Sequence, residues 1–192
     1  MKQTVRLDLH RRTLGALNGA RPEGNATADQ IPVDRYLDSE RTAREVALLQ
    51  RRPQPVAASS ELPGPGAWLA RDRLGTPFLL VRQDDGTVHA FLNVCRHRGA
   101  RLLEEGAGDD ARAFVCPYHA WTYRPDGSLK KVPQAFGFPC LNKAESGLRR
   151  LAAVERAGLV WVVADPALAD SDIDDHLDPL MAELETLDLS SP

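Results

Sequence analysis

Apolar and polar residues alternate in short bursts through the middle of this chain, and Gly, Asp and Pro punctuate them. Ala67–Asp72 and Pro77–Gln83 read as strands, and Asp84-Asp85-Gly86 is a hairpin turn leading into a strand over Thr87–Asn93. Arg112–Val115 predicts a strand that delivers Cys116. Trp121–Arg124, the turn Pro125-Asp126-Gly127 and Ser128–Val132 predict a second hairpin. Arg149–Glu155, a turn at Ala157-Gly158 and Leu159–Ala164 predict a third, whose last strand is almost wholly apolar and therefore central. Short strands at this spacing predict a mostly β fold, an antiparallel β-sandwich or small barrel with short flanking helices.

The ends of the chain are patterned differently. Residues 1–37 carry Gly15, Gly19, Pro22, Gly24 and Pro32 and read as a loose arm. Residues 38–55 open with Asp38-Ser39-Glu40, place Ala43, Val46, Ala47 and Leu49 near one face, and stop at Pro53 and Pro55. That predicts a short helix capped by Asp38 or Ser39, then a linker. Residues 56–165 hold the strands, and 166–192 form an acidic segment in which Leu177, Leu180, Met181, Leu184 and Leu187 recur at helical spacing. This stripe is expected to lie on the domain itself if the chain is complete, or on something outside it if not.

Against that β background two short stretches stand out. Cys95-Arg96-His97 and Cys116-Pro117-Tyr118-His119 each offer one cysteine and one histidine, with 18 residues between His97 and Cys116. Four metal-capable residues in two matched loops point to a metal centre at Cys95, His97, Cys116 and His119. Two thiolates and two imidazoles suit a Rieske [2Fe–2S] cluster, in which the cysteines hold one iron and the histidines the other. Zinc also accepts two Cys and two His, and the spacing alone leaves it open. Mixed Cys/His pairs favour the dinuclear cluster, because each loop can then touch both irons. Neutral imidazoles would raise the potential above that of an all-cysteine cluster and couple reduction to protonation. The other histidines, His10, His89 and His176, read as ordinary surface or core residues, and Cys140 as a buried free thiol.

Composition changes this picture little. Hydrophobic residues make up 43%, enough for a packed core. The net charge of −3 hides nine acidic residues and no Lys or Arg from Asp165 onward, which leaves about +6 elsewhere (24 basic minus 18 acidic), too weak an asymmetry to indicate nucleic acid. Three cysteines fit a reducing compartment better than a disulfide scaffold. With no secretory signal and no apolar run of about 18 residues, a cytoplasmic protein without a membrane span is expected.

Cys95-Arg96-His97-Arg98-Gly99-Ala100 followed by Cys116-Pro117-Tyr118-His119-Ala120-Trp121-Thr122-Tyr123 resembles the Rieske domain of ring-hydroxylating oxygenase α subunits, over about residues 38–165 and including Asn93. The resemblance implies a Rieske fold with an inserted cluster-binding subdomain, loops at 93–101 and 115–123, and a pocket that Arg98, Gly99 and Trp121 help to shape. Ala120 departs from the family, which usually has glycine there, and a β-carbon in that tight loop is expected to strain it. The respiratory kind of Rieske domain carries an extra cysteine in each loop and a serine after the second. Ala100, Tyr118 and Trp121 occupy those places, so the resemblance implies the low-potential class without a bracing disulfide.

The family's α subunits continue into a catalytic domain with a mononuclear non-heme iron. The five histidines here leave no facial triad once His97 and His119 are assigned, so no oxygen-activating iron site is expected within this chain. The resemblance implies an oxidoreductase component that takes electrons from an NAD(P)H-dependent reductase, directly or through a ferredoxin, and passes them to that iron outside the chain. As part of an α subunit it would sit in a homotrimer. A stand-alone Rieske-type ferredoxin is the alternative, and a redox-silent zinc module the third reading.

Overall fold

The computed structural model describes residues 3–19, 30–187 and 189. Its centre is built of antiparallel hairpins whose turns fall where the Gly and Asp punctuation put them. β2 (Trp68–Arg73), β3 (Thr76–Arg82) and β4 (Val88–Leu92) form a meander, flanked by β5 (Gly106–Gly108) on one edge and β9 (Arg150–Leu151) on the other. A second sheet has the order β1 (Gln54–Ala58), β11 (Leu159–Val162), β10 (Ala153–Arg156). A third, small sheet comprises β6 (Phe114–Val115), β7 (Thr122–Tyr123) and β8 (Leu129–Lys131). The sheets stay open, so the architecture is a sandwich with an added subdomain and not a closed barrel.

Side-chain alternation sorts these pieces into layers. Phe78, Leu80, Val88 and Ala90 of the meander face Val56, Ala57, Val160 and Val162 of the second sheet. Leu79, Val81 and Phe91 point the other way, into a core shared with Phe114, Tyr123 and Leu129 of the small sheet and with Trp121 just before β7. Both faces of β3 are covered, which is why its sequence reads as a near-continuous apolar run. β11 is the same case. It is central in its sheet, and Trp161 with Val163 packs beneath α4 (Asp170–Leu184) through Ile173, Leu177 and Met181. The order is therefore α4, second sheet, meander, small sheet.

The flanking helices show what the sequence reading caught and missed. α3 (Ser39–Gln50) starts as expected, with Asp38 Oδ1 accepting from the N–H groups of Glu40 at 2.9 Å and Arg41 at 3.1 Å. Within the expected loose arm, Gln3–Leu17 is helical (α1), Gly15 included, and Asp34–Leu37 forms one further turn (α2). The described leucines of α1 (Leu7, Leu9, Leu14 and Leu17) are all exposed, so they form no buried apolar stripe for a periodicity search to find. Pro22 and Gly24 of that arm lie outside the described residues. The C-terminal stripe lies on its own domain, although Leu180 and Leu187 of the expected set are 47% exposed and Ile173 takes their place in the core. The strand expected over Arg149–Glu155 is broken at Ala152 into β9 and β10, which belong to different sheets. Among the described residues no helix is long and apolar enough to cross a membrane.

One ion pair ties the two large sheets together. Arg82 on β3 donates to the carbonyls of Leu62 at 3.0 Å and Gly86 at 2.9 Å, and its guanidinium forks onto Glu155 of β10, at 3.0 Å on Oε1. The Arg82 hydrogen bonds outweigh burial and hold the Glu155 carboxyl below the ordinary glutamate range. A depressed carboxylate pKa stabilises the fold above the unfolded value, and that contribution is lost as pH falls through the folded one. Glu155→Gln should therefore cost about 1–2 kcal/mol near neutral pH. The gap to the parent should close between about pH 5 and about pH 3, which urea titrations across that range will measure.

Candidate metal centre

The two Cys/His loops are built to one plan. In the first, the Cys95 N–H donates to the Ala100 carbonyl at 2.8 Å and the Gly99 N–H returns to the Cys95 carbonyl at 3.0 Å. In the second, the Cys116 N–H donates to the Trp121 carbonyl at 2.8 Å and the Ala120 N–H returns to the Cys116 carbonyl at 3.0 Å. Each loop thus closes over five residues and needs a left-handed residue four positions after its cysteine. That residue is Gly99 at φ 72° in one loop and Ala120 at φ 54° in the other. The strain expected of Ala120 is real, because a β-carbon is disfavoured in that conformation.

The loops bring the four predicted residues to one place. Cys95 and Cys116 are both buried and unbridged, with their thiols close enough to influence each other. The rings of His97 and His119 meet edge to face with centroids 4.7 Å apart. Each has its Nδ1 buried with no hydrogen-bond partner. Burial pushes the Cys95 thiol up, against the Tyr123 hydroxyl and the His97 N–H, which favour thiolate. Burial likewise lowers the proton affinity of His97, helped by His119 and Arg98. Among the described residues no three His, Cys, Asp or Glu side chains form a single-ion site.

Residues 52–142 match the family profile of the Rieske [2Fe–2S] domain. This chain carries a Rieske [2Fe–2S] domain.

It is similar to the oxygenase subunit of glycine betaine monooxygenase from Chromohalobacter salexigens, 40% identical over 129 residues, covering 65% of this chain and 28% of that protein. It is also similar to the large oxygenase component of the naphthalene 1,2-dioxygenase system from Pseudomonas fluorescens, 38% identical over 143 residues, covering 69% and 31%. Among solved structures it resembles a quaternary ammonium Rieske monooxygenase studied for carnitine oxidation by gut microbiota and for inter-subunit electron transfer. That match has a TM-score of 0.70 at 28% identity, covering 83% of this chain and 47% of the other. The chain spans less than a third of the length of those two curated relatives.

A Rieske domain takes one [2Fe–2S] cluster, and the residues present fit it. Two thiols and two imidazole nitrogens, all desolvated, are the donor set such a cluster uses, and a buried nitrogen without a partner is a group that needs a ligand. The surroundings hold the donors in place. Trp121 is buried and stacks on His97 at 4.8 Å with ring planes 3° apart, and Phe138 meets the rings of both edge-on. Arg98, expected to help shape the Rieske pocket, is exposed and pairs with no carboxylate among the described residues. Gly99 contributes its backbone turn. His89 lies half-buried on β4 against Phe91, His10 on α1, and His176 on α4 beside Arg52 at 3.4 Å. Cys140 is a free thiol as expected but exposed, because it follows a Pro-Gly-rich segment that wraps over the surface of the Rieske domain.

Three functional neighbours lacked a role in the sequence reading. Tyr123 is fully buried and its hydroxyl lies 3.3 Å from Cys95 Sγ while accepting the Arg96 N–H at 3.0 Å. Its place two residues after buried Trp121 on a short strand was a signal for it. Asn93, also fully buried, donates to the Leu103 carbonyl at 2.7 Å and accepts from the Leu103 N–H at 3.0 Å, so it pins both ends of the first loop. Phe138 had no such signal, since its segment has no period.

Relieving the second loop gives a direct check on this account. Removing the left-handed β-carbon recovers about 1–2 kcal/mol, less about 0.4–1 kcal/mol for glycine's greater freedom in the unfolded chain. Ala120→Gly should therefore raise the stability measured by denaturant titration, and a loss of stability would show that Ala120 carries no left-handed strain.

Proposed function

We propose that this chain is a one-electron relay in an aromatic-ring-hydroxylating or related oxygenase system. The observation that carries this reading is the convergence of two buried thiols and two buried, unpartnered imidazole Nδ1 atoms from two matched loops. Cys95 and Cys116 would hold one iron and His97 and His119 the other. When bound, the cluster supplies storage and transfer of single electrons. The chain's own residues supply the rest. Trp121 and Phe138 keep the His97 ring from turning, Asn93 holds the first loop closed, and Tyr123 places a hydroxyl against the Cys95 sulfur. Hydrogen bonds to a coordinating sulfur favour added negative charge, so Tyr123 tunes the potential upward.

Electrons would come from an NAD(P)H-dependent reductase or a ferredoxin and leave to a mononuclear non-heme iron outside these 192 residues. The similarity to oxygenase subunits supports that direction, and the inter-subunit electron transfer described for the quaternary ammonium monooxygenase supports an acceptor on a neighbouring subunit of a homotrimer. The small cysteine count supports a cytoplasmic location. A stand-alone ferredoxin-like carrier would use the same centre, and reoxidation by a soluble acceptor at a useful rate would favour it.

Anaerobic loading with iron and sulfide tests the assignment. The chain should take up about two iron and two sulfide per molecule and give the rhombic paramagnetic signal of a reduced His-ligated cluster. A colourless protein that binds zinc in preference would overturn the reading. His97→Cys or His119→Cys should lower the potential or lose the cluster, whereas His176→Ala should do neither. Tyr123→Phe should lower the midpoint potential by on the order of 60 mV, one tenfold step in a one-electron equilibrium, as read by redox titration.

A further inference from the structure

The two donor loops share a stem as well as a closure. In each, the residue before the cysteine pairs antiparallel with the sixth residue after it, Val94 with Arg101 and Val115 with Thr122. The side chains that support the two loops are unevenly shared, however. Four serve the first. Asn93 bonds both backbone groups of Leu103, and Arg101 makes a two-point contact with Asp72 at 3.0 and 2.7 Å. Trp121 stacks on His97, and the Tyr123 hydroxyl meets Cys95 Sγ and the Arg96 N–H. Trp121 and Tyr123 lie in the second loop and its exit strand, yet both turn toward the first.

Between them stands Thr122, half-buried. Its hydroxyl donates to the Ala120 carbonyl at 3.1 Å, and among the described residues this is the one side-chain hydrogen bond made to Cys116–Trp121. It falls on the residue that follows His119 and carries the loop's left-handed strain, at φ 54°. The Ala120 N–H is already tied to the Cys116 carbonyl at 3.0 Å. Ala120 is thus held on both sides, and leaving the left-handed region would break one bond or the other. The first loop needs no such tie, because Gly99 takes that conformation without steric cost. Alanine is drawn back toward the right-handed and extended regions. Threonine suits the task, since β-branching restricts its χ1 and leaves the hydroxyl little rotamer freedom to lose.

We propose that Thr122 is the positioning residue for His119. It locks the strained turn directly after that histidine and so keeps the ring in place against His97. The proposal rests on the electron-relay reading, in which these two rings hold one iron, and it divides the work of orienting them. Trp121 and Phe138 fix His97 by packing on its ring. His119 has beside it the edge of His97 and Tyr118, which is itself 61% exposed and forms no packed wall. Its orientation is therefore set through the backbone. Without the Thr122 bond, the strain at Ala120 is released by rotation next to His119, and the ring moves with it.

The test compares the parent chain, loaded with iron and sulfide, with two variants. Thr122→Val keeps the branched shape and removes the donor, whereas Thr122→Ser keeps the hydroxyl. Thr122→Val should speed cluster loss to an iron chelator about fivefold, the weight of about one net hydrogen bond. Pulsed paramagnetic resonance of the reduced protein should show one histidine nitrogen coupling altered and the other, under Trp121, unchanged. Thr122→Ser should restore both readouts. In an Ala120→Gly background Thr122→Val should cost less than about twofold, because glycine leaves no strain for the hydroxyl to hold. A loaded Thr122→Val chain that matches the parent in chelator rate and in both couplings would overturn the positioning role and leave the relay standing. An equal loss with and without Ala120→Gly would do the same. Where Thr122→Val takes up no cluster, uptake regained on adding Ala120→Gly upholds the role, and uptake still absent overturns it. A parent chain that takes up no cluster would instead sink the relay reading itself.

Discussion

Four buried donor atoms govern this structure: the sulfurs of Cys95 and Cys116, and the Nδ1 atoms of His97 and His119, which have no hydrogen-bond partner. A buried polar atom left unmade costs about 1–3 kcal/mol, and a small domain has only about 5–15 kcal/mol to lose. Holding two such nitrogens dry is therefore a burden unless a ligand occupies them. The loops hold the donors by closing their backbones locally, through the paired bonds at Cys95/Gly99/Ala100 and Cys116/Ala120/Trp121. The second loop accepts left-handed strain at Ala120 to keep this pattern, which shows how narrowly the closure is defined.

The rest of the fold follows from supporting those loops. Neither could hold its shape on a two-residue strand such as β6 or β7, since so small a sheet has little cooperative stability of its own. The meander provides the rigid floor. Leu79, Val81 and Phe91 send their side chains into the loop subdomain while Phe78, Leu80 and Ala90 anchor the same strands in the sandwich. Asn93 leads directly out of that floor into the first loop, and Arg101 fastens the loop's exit to Asp72 on β2. Displacement of either sheet would thus be felt at the donors through β3 and β4.

Much of this was legible in the sequence, and the reasons are particular. The hairpins at Asp84-Asp85-Gly86 and Pro125-Asp126-Gly127 announce themselves because turn chemistry is local. β11 reads as central because burial on both faces removes alternation. The donor set reads clearly because Cys and His are rare and their spacing is short-range. What escaped depends on the tertiary partner. β5 is Gly-Ala-Gly and pairs only because β2 offers an edge, so no pattern marks it. The break at Ala152 moves the chain between sheets without any Gly or Pro to signal it. The described leucines of α1 are exposed and so mark no stripe, and Cys140 stands in solvent because average burial says little about one residue on a surface wrap.

The two histidines, alike in sequence role, are unlike in surroundings, and the difference has a physical basis. His97 is held by a parallel indole on one face, by the edge of Phe138 and by the edge of His119. A ring stacked at 3° cannot rotate about its Cβ–Cγ bond without displacing Trp121, which is itself packed in the core. Among the described residues the ring partners of His119 are His97 and the solvent-facing Tyr118. The first ring is therefore preorganised by the fold, whereas the second is set largely by its loop and by whatever covers Tyr118. The Trp121 side of the centre is therefore rigid, while the Tyr118 side, with its ring 61% exposed, stands open to solvent.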